Sequence, residues 1–154
     1  GCRFLPHLAA QRRQPATAAT PGRRGLEERR VDYLLVGLGG FLGANARYLV
    51  AHCVGLRYGT SFPYGTLVIN VSGSFVIGLF LVLVTEHFLV HPNWRLFFSV
   101  GFLGAYTTFS TFSFESLALM QNGFWLLSLL NIVGSVVLGL MATLSGVMLA
   151  RLFS

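Results

Sequence analysis

Residues 101–115 concentrate glycine and hydroxyl side chains where a plain apolar helix would place leucine: Gly101, Gly104, Thr107, Thr108, Ser110, Thr111 and Ser113, interleaved with Phe109 and Phe112 and closed by Glu115. Such a composition tolerates an interruption of the helix, and an interrupted helix exposes backbone carbonyls that can hold a cation. Read as a helix, Thr107, Thr111 and Glu115 recur at i, i+4 and form one polar stripe, with Phe109 and Phe112 on a neighbouring face. Asn131, Ser135, Gly139 and Thr143 form a second stripe at the same spacing. Asn70 adds an amide that is costly to leave unpaired among apolar neighbours, so it makes an interhelical hydrogen bond or meets a ligand. A run of aromatics ordinarily packs in a core or against lipid, but ring edges carry positive potential, so Phe109 and Phe112, flanked by hydroxyls, have the chemistry to approach an anion where they face Asn70. These are neutral donors and ring edges, the inventory of an ion pathway.

Other chemistries are poorly served. His52, His87 and His91 fall at or beyond the edges of the apolar runs and His7 lies near the amino terminus, so Ser74 has no base to activate it. No His, Cys and carboxylate cluster has metal-ligand spacing, and Cys2 and Cys53 imply neither a redox motif nor a disulfide framework. The run Gly37-Leu-Gly39-Gly40-Phe-Leu-Gly43 resembles a glycine-rich nucleotide loop only superficially, because that loop needs a preceding strand and a downstream acid. Catalysis is disfavoured.

The elements that must position these residues follow from composition. Charged residues make up 10% of the chain and AVILMFWYC 54%, against roughly 25% charged in soluble domains. Apolar segments at roughly 33–54, 63–85, 95–120 and 124–150 each reach the ~20 residues that cross a hydrocarbon core, which predicts an all-α membrane protein of four transmembrane helices. Tyr58, Tyr64, Trp94 and Trp125 sit at the edges, as amphipathic rings do at the headgroup level. Short links predict antiparallel neighbours and both termini on one side. Small residues four apart (Gly39 and Gly43, Ser74 and Gly78, Ser135 and Gly139, Ala142 and Gly146) predict faces along which helices approach closely in lipid. Arg47 and Glu115 fall within or near the ends of spans, where a mid-membrane charge costs ~2.5–3.5 kcal/mol; they snorkel, pair with each other or serve a function.

Residues 1–30 differ from the rest. They hold seven of the eleven arginines and five of the net six positive charges, lack an apolar run, and read as an arginine-rich disordered tail or as sequence upstream of the true start, with 31–154 as the four-helix transmembrane domain. A basic tail beside a bilayer acts on topology or anionic lipid, so no nucleic-acid partner is expected.

Three motifs then become specific in order. Gly39-Gly40-x-x-Gly43-Ala44-x-x-Arg47-Tyr48, Pro63-x-Gly65-Thr66-Leu67-x-x-Asn70-x-x-Gly73-Ser74-Phe75-x-x-Gly78 and Gly101-Phe-x-Gly104-x-x-Thr107-Thr108-Phe109-Ser110-Thr111-Phe112-x-x-Glu115 resemble the Fluc/CrcB fluoride channels over about residues 33–151. The resemblance implies a fluoride-selective passive channel of the bacterial inner membrane that lowers cytoplasmic fluoride. It implies an antiparallel, dual-topology homodimer with two narrow pores, each subunit having a broken third helix. By position, Asn70 would donate to fluoride and Phe109 and Phe112 would supply aromatic edges. The carbonyls of Gly104 and Thr107 from both subunits would hold a structural Na+. Thr111, Glu115, Ser135 and Thr143 would continue the polar track, and Arg47 would sit at a vestibule or serve structure. Asn131 stands where the family would have an aromatic hydroxyl.

Loop arginines divide as Arg95 and Arg151 on the amino-terminal side against Arg57 opposite, the slight bias that dual insertion requires. The tail disturbs that balance unless translation begins near Val31 or the tail is too loosely attached to govern insertion; pairing with an oppositely oriented paralogue is the other route to opposed subunits. A small four-helix proton-coupled drug exporter is the competing reading, but it needs a carboxylate embedded early in the chain, where the first span offers Arg47 instead.

Overall fold

In the computed structural model, residues 23–87 and 92–152 are described, and among them every regular element is helical. Helix α1 (Arg23–Tyr58) is followed by α2 (Tyr64–Val82), which continues as a π-helical turn at Leu83–His87. A second helical rod is assembled from α3 (Pro92–Trp94), a π-helical stretch (Arg95–Leu103) and α4 (Gly104–Tyr106). Thr107 and Thr108 are extended, and helix resumes as α5 (Phe109–Gln121), then α6 (Trp125–Leu152).

Among the described residues, three helices are long and apolar enough to cross a membrane: Arg29–Tyr58, Tyr64–Thr85 and Trp125–Leu152. Helix α1 begins eight residues upstream of the boundary expected at 31. Its 36 residues span about 54 Å, well beyond a ~30 Å hydrocarbon core. Glu and Arg are strong helix formers, so the Glu27–Arg30 segment prolongs the helix into the polar zone instead of fraying. Residues 1–22 of the expected tail lie outside the described residues, as does His91.

The turns have local causes. Gly59, at φ 77°, donates its N–H to the Gly55 carbonyl (2.9 Å) and ends α1. At the Gln121-Asn122-Gly123 turn, Gly123 takes φ 81°; its N–H reaches Met120 O (3.0 Å) and the Phe124 N–H reaches Leu119 O (2.9 Å). That pair of bonds is a Schellman motif, which satisfies the orphan carbonyls of α5 at the one residue type that accepts a left-handed backbone freely.

Packing is inverted relative to a soluble domain. Among the described residues the buried large apolar side chains are few (Ile69 and Leu103), whereas Thr66, Ser116, Ser128 and Asn131 are buried and Leu, Val and Phe side chains cover the exterior. An apolar exterior around a polar interior is what lipid as solvent selects. The chain is an integral membrane protein. Helices approach one another through glycine. A Cβ on Gly78 would overlap the Thr143 carbonyl, and one on Gly146 the Phe75 carbonyl, so α2 and α6 cross backbone to backbone. Gly39 and Gly43 play the same part between α1 and the π-helical stretch, where they abut the carbonyls of Phe97 and Phe102. Gly139 is less constrained, its nearest neighbour being Ser74 Oγ at 3.6 Å.

Candidate functional site

The extended residues Thr107 and Thr108 organise the site. In an unbroken helix the Thr108 N–H would donate to the Gly104 carbonyl and the Thr111 N–H to the Thr107 carbonyl. Here the Thr108 N–H donates to Asn70 Oδ1 (2.9 Å), and the Thr111 N–H donates to Thr108 Oγ1 (3.4 Å), capping α5. Asn70 Nδ2 donates in turn to the Thr108 carbonyl (2.9 Å). One amide on α2 therefore binds both backbone groups of a residue 38 positions away, and the backbone fixes which way that amide faces. The carbonyls of Gly104 and Thr107 are left without their regular helical donors.

Around this clamp lies a cavity of about 380 Å³ whose lining includes Asn70, Gly104, Thr107, Phe109, Phe112 and Ser135. None of its lining residues is formally charged. The Phe109 and Phe112 rings meet at 5.7 Å, tilted by 45°. Phe109 is nonetheless 78% exposed, so one chain leaves this side of the cavity open. Gly73 faces Thr107 Cγ2 at a separation that leaves no room for a Cβ, so the break is seated directly on α2. Tyr106, the last residue before the break, ends a stack with Phe102 and Phe98 and shares a hydrogen bond of 2.9 Å with Ser72.

A different set of sequence-marked residues lies elsewhere. Thr107, expected at the head of a Thr107, Thr111, Glu115 stripe, leaves the helix, so the stripe begins in α5 with Thr111, whose hydroxyl accepts from Thr108 Oγ1 (3.0 Å). Glu115 lines a second cavity of about 460 Å³ with Thr66, Gly65, Ala51 and Asn122. Among the described residues, the buried Oε2 of the Glu115 carboxyl group has no hydrogen-bond partner. Thr143 returns its hydroxyl to the Gly139 carbonyl of its own helix (3.0 Å) and lines neither cavity. Arg47, half-buried on α1, lines neither as well.

Two residues absent from the sequence reading prove structural to the site. Ser116 and Ser128, both buried, join α5 to α6: Ser128 Oγ donates to the Ser116 carbonyl (2.8 Å), and Asn131 Nδ2 donates to Ser116 Oγ (2.9 Å). Ser128 lies three residues before Asn131 on the same helical face, so extending the second polar stripe by one turn would have found it. Ser116 is hidden in sequence by its neighbour Glu115.

A family description, CrcB-like protein, Camphor Resistance (CrcB), matches residues 34–147. The chain belongs to this family. Its similarity extends to a fluoride-specific ion channel FluC of Solibacter usitatus, 50% identical over 121 residues that cover 79% of this chain and 99% of that protein. Proteins of the same name from Koribacter versatilis (49% identical, 78% of this chain, 95% of theirs) and a Sulfurihydrogenibium species (41%, 78% and 97%) match at similar coverage. As the CrcB match starts at residue 34, it excludes the charged beginning of α1 and takes in the clamp, both cavities and the Ser116–Asn131 network.

Proposed function

We propose that this protein is a passive, fluoride-selective channel that lets fluoride leave the cytoplasm across a bacterial inner membrane, and that it is not an enzyme. The observation that carries the reading is the uncharged cavity at the helix interruption, lined by Asn70, by serine and threonine residues and by Phe109 and Phe112. Fluoride is small and strongly hydrated, so a pore must offer donors in place of water yet release the ion. Neutral Asn, Ser and Thr donors with weakly positive ring edges meet both demands, whereas an arginine beside the ion would trap it. Asn70 retains one Nδ2–H beyond the bond it gives Thr108, and that hydrogen is its donor to fluoride. Ser135 borders the same cavity. Thr111 and Glu115 continue the polar track toward the second cavity, while Thr143, its hydroxyl spent on Gly139, stands apart from it, and Arg47 serves a vestibule.

In this reading the segment 92–121 is a fourth membrane span, broken at Thr107–Thr108. Two subunits in opposed orientations build the channel, since the open flank at Phe109 needs a second copy to close it. The Gly104 and Thr107 carbonyls, stripped of helical donors, suit a hard cation that takes oxygen ligands, and a structural Na+ shared between the two subunits fits them.

The test is fluoride efflux from liposomes containing the purified protein, with chloride as control. Rapid, fluoride-selective efflux down the gradient supports the channel; movement that occurs only against an imposed proton gradient would replace it with an exchanger.

A further inference from the structure

Asn131 is 1% exposed and, with Ser116 and Ser128, forms a buried polar junction between α5 and α6, one hydrogen bond away from the cavity-lining Ser135. Its orientation is dictated by proton counting. Ser116 has a single hydroxyl proton, which it gives to the Phe112 carbonyl (2.8 Å). Its oxygen can therefore only accept from Asn131, which must present Nδ2 to it (2.9 Å). The amide is thus pinned, and Oδ1 faces Ser135, whose hydroxyl donates to it over 3.5 Å. That bond is long, at the weak end of hydrogen bonding. Ser135 also lines the cavity beside Asn70, Phe109 and Phe112.

We infer that Asn131 is a positioning residue that holds the Ser135 proton as a weak resting acceptor, so that an anion in the cavity must compete for it. This rests on the channel reading and adds a role for a residue that does not itself line the cavity. When fluoride arrives, the Ser135 hydroxyl turns toward it and Oδ1 of Asn131 is left buried without a donor. That penalty falls only on the occupied state, so it weakens fluoride binding and speeds release. Ser116 acts one step further back, because without its hydroxyl the Asn131 amide is free to turn and offer Nδ2 to Ser135, which releases the Ser135 proton to the cavity.

The experiment measures fluoride efflux from proteoliposomes over a range of fluoride concentrations. Asn131→Leu, which removes the acceptor at similar volume, should lower the half-saturating fluoride concentration roughly tenfold, the cost of one buried orphan acceptor. Ser116→Ala should shift it in the same direction by a smaller factor, and it serves as the decisive variant if Asn131→Leu does not yield folded protein. In a Ser135→Ala background both shifts should vanish, which a merely structural role would not produce. An unchanged half-saturating concentration in the single variants, or equal shifts with and without the Ser135 hydroxyl, would overturn the inference while leaving the channel intact. Absence of wild-type fluoride flux would overturn both.

Discussion

Replacing Asn70 with leucine removes the two 2.9 Å hydrogen bonds that bind Thr108 while nearly preserving volume. Each bond contributes a net ~1 kcal/mol, and the Thr108 N–H, on a residue only 9% exposed, would add the penalty of an unsatisfied buried donor. The extended residues between α4 and α5 should then lose about 2–4 kcal/mol of local stability. Because opening at this point is a local event, the loss should appear as a fall of roughly 30- to 1,000-fold in hydrogen-exchange protection of the Thr108 amide, with helices α2 and α6 unaffected. Fluoride efflux from liposomes should fall by at least tenfold under the proposed role of the second Nδ2–H as the donor to fluoride. Asn70→Asp separates the two functions: an oxygen can still accept from the Thr108 N–H, but the donor is lost and a carboxylate faces both the Thr108 carbonyl and the cavity. It should abolish flux with a smaller loss of protection at Thr108. Wild-type protection at Thr108 in Asn70→Leu would refute the clamp, and wild-type flux in Asn70→Asp would remove Asn70 from the ion pathway.

Three further outcomes follow from the same geometry. Phe109→Ile keeps the bulk at the cavity but removes the ring edge, and should suppress fluoride efflux at least tenfold without changing the elution of the purified protein on gel filtration; unimpaired efflux would exclude the ring from the pathway. Gly146→Ala drives a methyl into the Phe75 carbonyl and to 2.8 Å from the Leu79 nitrogen, so α2 and α6 must separate at a cost of about 1–3 kcal/mol, read as a lower melting temperature, while Gly134→Ala, which meets nothing within 4 Å, should melt like the wild type. Exchange of sodium for a large organic cation throughout purification should lower the melting temperature if the Gly104 and Thr107 carbonyls hold Na+, and identical melting in both media would dismiss the ion.

Much of the site's chemistry is legible in one dimension. The apolar runs at 33–54, 63–85 and 124–150 mark the three helices long enough to cross a membrane, the four-residue spacing of Gly39 and Gly43 marks a face that α1 does bury, and Gln121-Asn122-Gly123 announces the turn that Gly123 closes with a left-handed backbone. The wealth of Gly, Thr and Ser at 101–113 signals backbone that need not stay helical. These features are local: they follow from hydrocarbon thickness, from helical periodicity and from the conformational range of single residues.

What required the tertiary structure is which polar group meets which. Periodicity places Asn70 on a face of α2 but cannot say that its amide is spent on the backbone of Thr108, because that pairing depends on where two segments 38 residues apart come to rest. It groups Thr107 with Thr111 and Glu115, yet the clamp takes Thr107 out of the helix and the neighbouring cavity takes Glu115. It gives Thr143 the same standing as Ser135, although Thr143 turns its hydroxyl back on its own helix and lines neither cavity, whereas Ser135 borders the cavity at the break. Nor does it mark Ser116, whose single proton orients Asn131 through two further bonds. In a membrane interior every donor must find an acceptor, so sequence determines that these side chains will be paired, and only the packing of α2, α5 and α6 decides with whom.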